Sequence, residues 1–373
     1  LQVYVYVTLC HGSLQVSHVL ADLDEVINGN YLPTSYDADN KGRITRWAAM
    51  AIKAKIYLFE GNWTQVKNIT STIMTEGGFK LFGSYAGLFE IANEYNSEVI
   101  LDAQYRPTSR EHQMMYVFLP PTLGGYSQLS PLQELVDSYI MLDGKTIKET
   151  GTSFDESHPY ANRDPRLKAT VMYTGNSYTL ADGTEVVINC EKGEGKDGYG
   201  VGSDCSATGY YIKKYWDNAY RATLYSGLNP ILIRYADILL MNAEALAELG
   251  ELDKTAWDAT IKPIRDRAGF TLASAVEFPE GASKDKLIEI VRNERRSELA
   301  LEGHRHKDII RWRIADDVLN GWCHGLKTNE VVGTDNGYVR VENRAFNANK
   351  HYLWPIPQAE RDLNGNLVQN PNW

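Results

Sequence analysis

Two stretches of this chain carry the same arrangement, in which an apolar helix pattern is stopped by a glycine and then resumes. In residues 43–82, apolar side chains recur every 3 to 4 residues up to Gly61, and AKIYLFEGNW joins the two halves. In residues 230–269 the matching sequence is AEALAELGEL, with Gly250 as the stop. A glycine in this place ends one helix and lets the chain turn back into the next. The pattern therefore predicts two αα-hairpins.

The length and residue types of these units indicate repeat-type helix packing. Each unit occupies roughly 35 to 40 residues, close to the period of tetratricopeptide repeats. Alanines such as Ala48, Ala51 and Ala54 allow two helices to approach closely. With a further helical stretch at residues 284–320, the sequence predicts a mostly α fold.

Charged residues enter the apolar stripe of residues 284–320. The inward series includes Glu294 and Glu298, although a lone carboxylate in a core is too costly to be stable. Opposite charges lie at i,i+3 spacing, Arg295 with Glu298 and Glu302 with Arg305. We therefore predict that these four residues are poorly exposed and form ion pairs that lock helix packing, rather than catalysing a reaction.

Residues 83–229 break the helical pattern and form a long irregular insertion, a kind of segment that is often functional. The stretch RLKATVMY (166–173) alternates like a strand, and residues 178–188 predict a hairpin around Asp182-Gly183. Cys190 and Cys205 flank a glycine-rich loop. They are interpreted either as a disulfide or as two buried thiols.

Composition and motifs exclude several functions. The net charge is −10 and no run of five basic residues occurs, so nucleic acid is not a predicted partner. GxSxG, HExxH and P-loop motifs are absent, and no pair of acids is singled out for catalysis. His304 and His306 point to different sides of a helix, and no cysteine pair has CxxC spacing, so no metal site is predicted.

Aromatic residues are the remaining signal. The chain has 23 Tyr against 9 Phe, and many rings fall in the insertion. A sugar ring stacks its C–H face on a flat aromatic side chain, while polar groups bind its hydroxyls. The alternative is that YYIKKYW is a strand whose rings fill a core. We predict a ligand-binding face in residues 104–128 and 210–228, formed by Tyr105, Tyr116, Tyr126, Trp216, Tyr220 and Tyr225.

Several separate motifs, in order, resemble the SusD/RagB family of surface nutrient-binding lipoproteins of Bacteroidetes. They are GRITRWAAMAIKAKIYLFEGNW, SPLQELVDSYIMLDG, YANRDPRLKATV, NPILIRYADILLMNAEALAELG, NERRSELALEGHRHKDIIRW and YLWPIPQAERDLNGNLVQNPNW. Together they cover most of residues 42–373.

The resemblance implies a SusD-like fold, mostly α, with tetratricopeptide-type hairpins and an irregular ligand face. It implies no catalysis and no cofactor, with a structural calcium ion left open. It also implies a protein on the cell outer membrane that captures oligosaccharides and delivers them to a TonB-dependent transporter of the SusC type. The alternatives are a peptide-binding RagB-like protein, or a repeat scaffold that binds only proteins.

The resemblance also suggests a division of the chain. The expected parts are a remnant of the N-terminal section (1–42), a tetratricopeptide-type pair (43–82), the insertion with the ligand face (83–229), a helical scaffold (230–320) and a C-terminal packing segment (321–373). The family begins with a lipid-anchored section that residues 1–20 do not resemble, so we expect an N-terminal truncation that removes the anchor. We expect Trp354 and Trp373 to anchor the final segment on the scaffold.

Overall fold

The computed structural model describes residues 12–373, which form 13 α-helices and nine short β-strands. The helices are α1 (Gly12–Asn28), α2 (Arg46–Phe59), α3 (Trp63–Glu76), α4 (Met114–Phe118), α5 (Gln133–Ser138), α6 (Pro165–Thr170), α7 (Tyr235–Leu249), α8 (Lys254–Ala268), α9 (Ala273–Val276), α10 (Lys284–Glu298), α11 (Arg305–Arg311), α12 (Ala315–Val318) and α13 (Gln358–Leu363). The strands are β1 (Val99–Asp102), β2 (Val171–Met172), β3 (Ser177–Thr179), β4 (Glu185–Val187), β5 (Tyr211–Ile212), β6 (Ile231–Arg234), β7 (Gly321–Lys327), β8 (Thr334–Asp335) and β9 (Tyr338–Arg344). The prediction of a mostly α fold is confirmed.

Both predicted helical hairpins are present, as α2–α3 and α7–α8. The Thr45 side chain accepts a hydrogen bond from Ala48 N at the start of α2, and Asp253 caps α8 in the same way. Gly61 and Gly250 take positive φ angles of 67° and 74° where the chain reverses. Helix α3 packs against α7, so the two hairpins form one stack, which α10 extends beside α7.

Residues 284–320 do not form a single helical stretch. Helix α10 ends at Glu298, and the chain turns through Leu301 (φ 63°) and Gly303 (φ 80°) before α11 begins. This turn directs the charged ends of α10 and α11 toward each other and toward the insertion.

The insertion has little regular structure. Strand pairs β1–β6, β2–β5 and β3–β4 are antiparallel, and the predicted hairpin around Asp182-Gly183 is confirmed as β3–β4. The predicted strand over residues 166–173 is wrong for its first part, because residues 165–170 are helix α6. The Asp164 side chain accepts a hydrogen bond from Arg166 N, and Pro165 occupies the first helical position. Both features favour a helix start over an extended strand.

The closing segment packs differently from the expectation. The Trp354 side chain is 62% exposed and Trp373 is 43% exposed, so neither ring is buried in the scaffold. Trp373 Nε1 donates to Leu353 O at 2.9 Å, and Asn370 Nδ2 donates to Trp354 O at 2.6 Å. The segment is therefore held partly by its own hydrogen bonds and partly by Tyr352, whose hydroxyl group accepts from Ala315 N at 3.1 Å and donates to Asp316 at 2.7 Å.

A buried set of charges, here named the central ion cluster, joins the helices to the insertion. Five cations pair with five carboxylates in it: Arg166, Lys214, Arg234, Arg265 and Arg267 with Glu98, Asp164, Glu294, Glu298 and Glu302. These side chains are at most 7% exposed. The equal number of opposite charges lets the cluster exist without water.

Glu298 lies at the centre of this cluster. Its carboxylate accepts from Arg234 Nη1 at 2.6 Å and Arg166 Nη1 at 2.9 Å, and also from Arg267. Burial raises the pKa of Glu298, but the three guanidinium groups outweigh burial and hold its pKa far below the ordinary value. Glu298 is therefore a carboxylate in the folded protein.

The expected ion pairs form, but with other partners. Arg295 binds Asp237 at 2.6 Å and Asp308 at 2.9 Å rather than Glu298. Glu302 binds Arg234 and Lys214 rather than Arg305. Arg305 takes part in no ion pair within the described chain, so the prediction of pairing is wrong for this residue. The ion pairs predicted from i,i+3 spacing do not form, because these side chains reach residues of other elements instead of residues of their own helix.

A histidine ties the C-terminal sheet to α5. The ring nitrogens of His324 in β7 lie 2.8 Å from Glu134 Oε1 and 3.0 Å from Asp335 Oδ2. Partial burial lowers the pKa of His324, but hydrogen bonds to Asp335 and Glu134 outweigh burial and raise it overall. Hydrogen bonds from Arg340, then His324, lower the pKa of Asp335 to about 2.

We expect His324→Gln to lower the melting temperature most between about pH 4 and 6.5. Below the unfolded pKa of histidine, about 6.5, the bridging imidazolium stabilises the fold fully, and this stabilisation is lost as the pH rises through the raised folded pKa. The Asp335 contribution disappears only as the pH falls toward its lowered pKa. Thermal unfolding of both proteins from pH 4.5 to 8.5 checks this. A wild-type advantage that grows above pH 7 would contradict it.

The thiols of Cys190 and Cys205 are both free, so the interpretation as a disulfide does not hold in this structure. Burial raises the pKa of Cys190 to about 12. Cys10 lies outside the described residues. Within residues 12–373, no helix is long and apolar enough to span a membrane, and no three His, Cys, Asp or Glu side chains are grouped to hold a metal ion.

Candidate functional site

Two predicted tyrosines form a pair at the surface of the insertion. Tyr116 lies in α4, and the loop after this helix turns back at Gly125 so that Tyr126 N donates to Tyr116 O at 2.9 Å. The ring centroids are 4.3 Å apart with an interplanar angle of 33°. Gly125 is needed there because a Cβ atom would lie 2.1 Å from Leu119 O. The backbone thus fixes the positions of the two residues relative to each other.

The surroundings of Tyr116 favour the protonated form of its hydroxyl group. A hydrogen bond with Tyr126, followed by partial burial and the nearby charges of Tyr225 and Asp204, raises the pKa of Tyr116 to about 12. Tyr126 is 39% exposed and Tyr225 is 43% exposed. The Tyr116 and Tyr126 rings are therefore in contact, and Tyr225 lies near enough to affect the pKa of Tyr116.

Tyr105 lies next to this group through a backbone bridge. His112 and Ser226 exchange two backbone hydrogen bonds of 2.9 Å, which place the residue after Tyr225 beside His112. The Tyr105 ring meets the His112 ring edge-on at 4.9 Å, and the Arg110 guanidinium lies 5.1 Å from the Tyr105 centroid. We name Tyr105, Tyr116, Tyr126 and Tyr225 the tyrosine face.

The other two predicted residues lie elsewhere. Trp216 packs against Tyr178 with 5.0 Å between centroids, and its Nε1 donates to Thr179 O at 3.2 Å, so it borders the β3–β4 hairpin. Tyr220 is only 7% exposed and belongs to the core of the insertion. In this structure its ring is therefore too buried to stack on a ligand, and Tyr220 is not included in the proposed face.

The interpretation of aromatic residues as core holds for part of the insertion. Tyr178, Tyr211 and Tyr215 pack with Phe89 and Leu119 in one buried cluster. Burial raises the pKa of each of these tyrosines above the ordinary value. The core tyrosines therefore support the tyrosine face instead of forming it.

The tyrosine face lies at the surface of the protein, where Tyr126 and Tyr225 are exposed. Two clefts, of about 530 Å³ and about 340 Å³, lie elsewhere and include no residue of the face. The smaller cleft contains Tyr95, an exposed aromatic that the sequence analysis did not single out. Tyr95 has a positive φ of 56°, a strained conformation for an aromatic residue.

The comparisons with known proteins decide the family. The sequence model of the SusD family matches residues 88–373. The chain belongs to the SusD family. The SusD-like protein P25 of Formosa agariphila is 28% identical over 365 residues, covering 91% of this chain and 60% of the relative. The SusD-like protein P2 of the same organism is 27% identical, covering 82% of this chain and 58% of the relative.

Solved structures agree with this SusD-family fold. A SusD-like carbohydrate binding protein from Bacteroides fragilis is 30% identical, with a TM-score of 0.83 over 96% of this chain and 71% of that chain. A second SusD-like protein of Bacteroides fragilis is 27% identical, with a TM-score of 0.80 over 97% of this chain and 71% of that chain. This chain spans about 60% of the length of each of the two Formosa agariphila relatives, P25 and P2.

Proposed function

We propose that this SusD-family chain binds an oligosaccharide on the tyrosine face and does not cleave it. The observation that carries the proposal is the pair of touching rings formed by the partly buried Tyr116 and the exposed Tyr126, with the exposed Tyr225 near Tyr116. Flat rings stack on the C–H face of a sugar, and protonated hydroxyl groups exchange hydrogen bonds with its rim. The Bacteroides fragilis relative, a SusD-like carbohydrate binding protein, supports the same ligand class.

The proposed affinity is modest. Few rings are available, and sugar hydroxyl groups must release water to bind. The partner is proposed to be a TonB-dependent transporter of the SusC type at the outer-membrane surface, which receives the oligosaccharide. A lipid anchor preceding this segment is proposed to hold the protein there. These three statements rest on family membership.

Long incubation with an oligosaccharide should release no new reducing ends. The tyrosine face offers stacking and hydrogen bonding, but it contains no pair of carboxylates placed on either side of a glycosidic bond. A reducing-end assay of the protein with each oligosaccharide that shows binding by isothermal titration is the measurement. A known glycosidase serves as positive control. Steady release that follows protein concentration would overturn the proposal.

A further inference from the structure

The larger cleft, of about 530 Å³, lies along α10 and is closed on one side by residues of α11. Its lining includes three arginines, Arg292, Arg296 and Arg305, with Trp312 at its base. A hydrogen bond holds the Trp312 side chain in place, since its Nε1 donates to the buried Glu244 at 2.6 Å. The cleft shares no lining residue with the tyrosine face.

The first of these arginines is incompletely satisfied. Arg292 Nη2 binds Glu248 Oε1 at 3.0 Å, and its guanidinium lies 4.9 Å from the Trp312 ring centroid. Its Nε atom is buried and has no hydrogen-bond partner. A buried donor without a partner costs free energy, so the position of Arg292 depends on its contacts with Glu248 and Trp312.

The other two arginines have no carboxylate partner. Arg296 donates to the backbone oxygen of Glu134, and Arg305 makes only a ring contact, 5.9 Å from the Trp312 centroid. Burial lowers the pKa of both groups, and the charge of Arg296 lowers that of Arg305 further, to about 10. Two partly buried guanidinium groups therefore line the same cleft, and neither forms an ion pair in the part of the chain that the structure describes. The carboxylates that act on them, Glu134 and Asp308, are bound by His324 and by Arg295 and Arg311.

The acidic groups that line the cleft do not pair with Arg296 or Arg305. Glu248 is taken by Arg292, and Glu289 pairs with Lys286. Asp285 lies 11 residues before Arg296 on α10, which is about 16 Å along the helix axis. The chain as a whole carries a charge of −10, so three arginines in one cleft are a local exception.

We propose that this cleft binds a carboxylate or sulfate group between Arg296 and Arg305. A planar guanidinium offers two parallel N–H donors to such an oxyanion, and two guanidinium groups from different helices fix its position. The ligand is a small acidic molecule, either an acidic sugar or a free inorganic oxyanion. This site is independent of the tyrosine face and extends the range of ligands beyond neutral oligosaccharides.

Thermal shift and isothermal titration with sodium sulfate, sodium glucuronate and glucose test the site, against sodium chloride at equal ionic strength. We expect sulfate, glucuronate or both, but not glucose, to raise the wild-type melting temperature. Arg305→Gln should weaken binding by about tenfold or more, through loss of a charge-assisted hydrogen bond. A larger shift with glucuronate identifies an acidic sugar, whereas an equal or larger shift with sulfate identifies the bare oxyanion.

Arg221→Gln is the matched control, because it removes one exposed arginine from the insertion and should bind as the wild type does. Arg305→Lys keeps the charge but loses the planar fork, and it should bind with intermediate affinity. Equal binding by wild type, Arg305→Gln and Arg305→Lys would overturn the proposal, as would no binding by the wild type. Neutral oligosaccharide binding should be unchanged in Arg305→Gln, which separates this test from that of the tyrosine face.

Discussion

Replacing Glu298 with alanine should lower the free energy of unfolding by about 3–5 kcal/mol, the cost of breaking a buried ion pair from one side. The carboxylate is fully buried and binds Arg166, Arg234 and Arg267. Its removal leaves three guanidinium groups with reduced compensation in a place that water does not reach. No nearby carboxylate is free to replace it, because Glu98 and Glu302 are already paired within the cluster.

The same helix provides the control for this prediction. Glu289 lies in α10 with its side chain 61% exposed and contacts only Lys286. Glu289→Ala should change stability by less than about 0.5 kcal/mol, since an exposed pair contributes little. Denaturant unfolding of wild type and both variants is the measurement. A loss below about 0.5 kcal/mol in Glu298→Ala would show that the central ion cluster does not hold the insertion to the helices.

Replacing Tyr126 with alanine should weaken oligosaccharide binding by about tenfold, equivalent to about 1.4 kcal/mol. The variant removes one ring of the Tyr116–Tyr126 pair and the hydroxyl group bonded to Tyr116. Stability should change little, because the Tyr126 side chain is 39% exposed. Isothermal titration with the oligosaccharide that binds the wild type measures the loss.

Three further variants make this result specific to the tyrosine face. Tyr31→Ala removes a tyrosine that is 66% exposed outside the insertion, and it should bind as the wild type does. Trp216→Ala removes one of the six predicted rings that lies outside the tyrosine face, beside the β3–β4 hairpin. It should weaken binding less than Tyr126→Ala does. Tyr225→Ala should resemble Tyr126→Ala. If Tyr31→Ala lost binding and the other variants kept it, the binding site would lie on another surface.

The helical scaffold could be predicted from the sequence because its signals are local. The apolar repeat, the cap residues Thr45 and Asp253 and the stops at Gly61 and Gly250 all lie within or next to the helices they define. The sequence pattern does not predict helix α6, and the reason again lies in local signals. The alternation of residues 166–173 predicts a strand, but the cap from Asp164 and Pro165 is the stronger local signal.

The ion partners and the members of the site depend on distant residues. Glu98 and Arg234 meet across 136 positions of sequence, so no spacing rule pairs them. Tyrosine density indicated the insertion, but it did not separate Tyr126, which is exposed, from Tyr220, which is buried. That difference arises from how the loops pack, and the division of the chain into five parts stays a prediction.

A glycan array probed with the wild type and with the Tyr116→Ala/Tyr126→Ala double variant tests the central claim most directly. We expect the wild type to bind one related group of oligosaccharides, and the double variant, with unchanged thermal stability, to lose that signal. Equal signals from both proteins would place glycan binding away from the tyrosine face. Absence of any wild-type glycan signal, together with binding to an oligopeptide array, would contradict the proposed function.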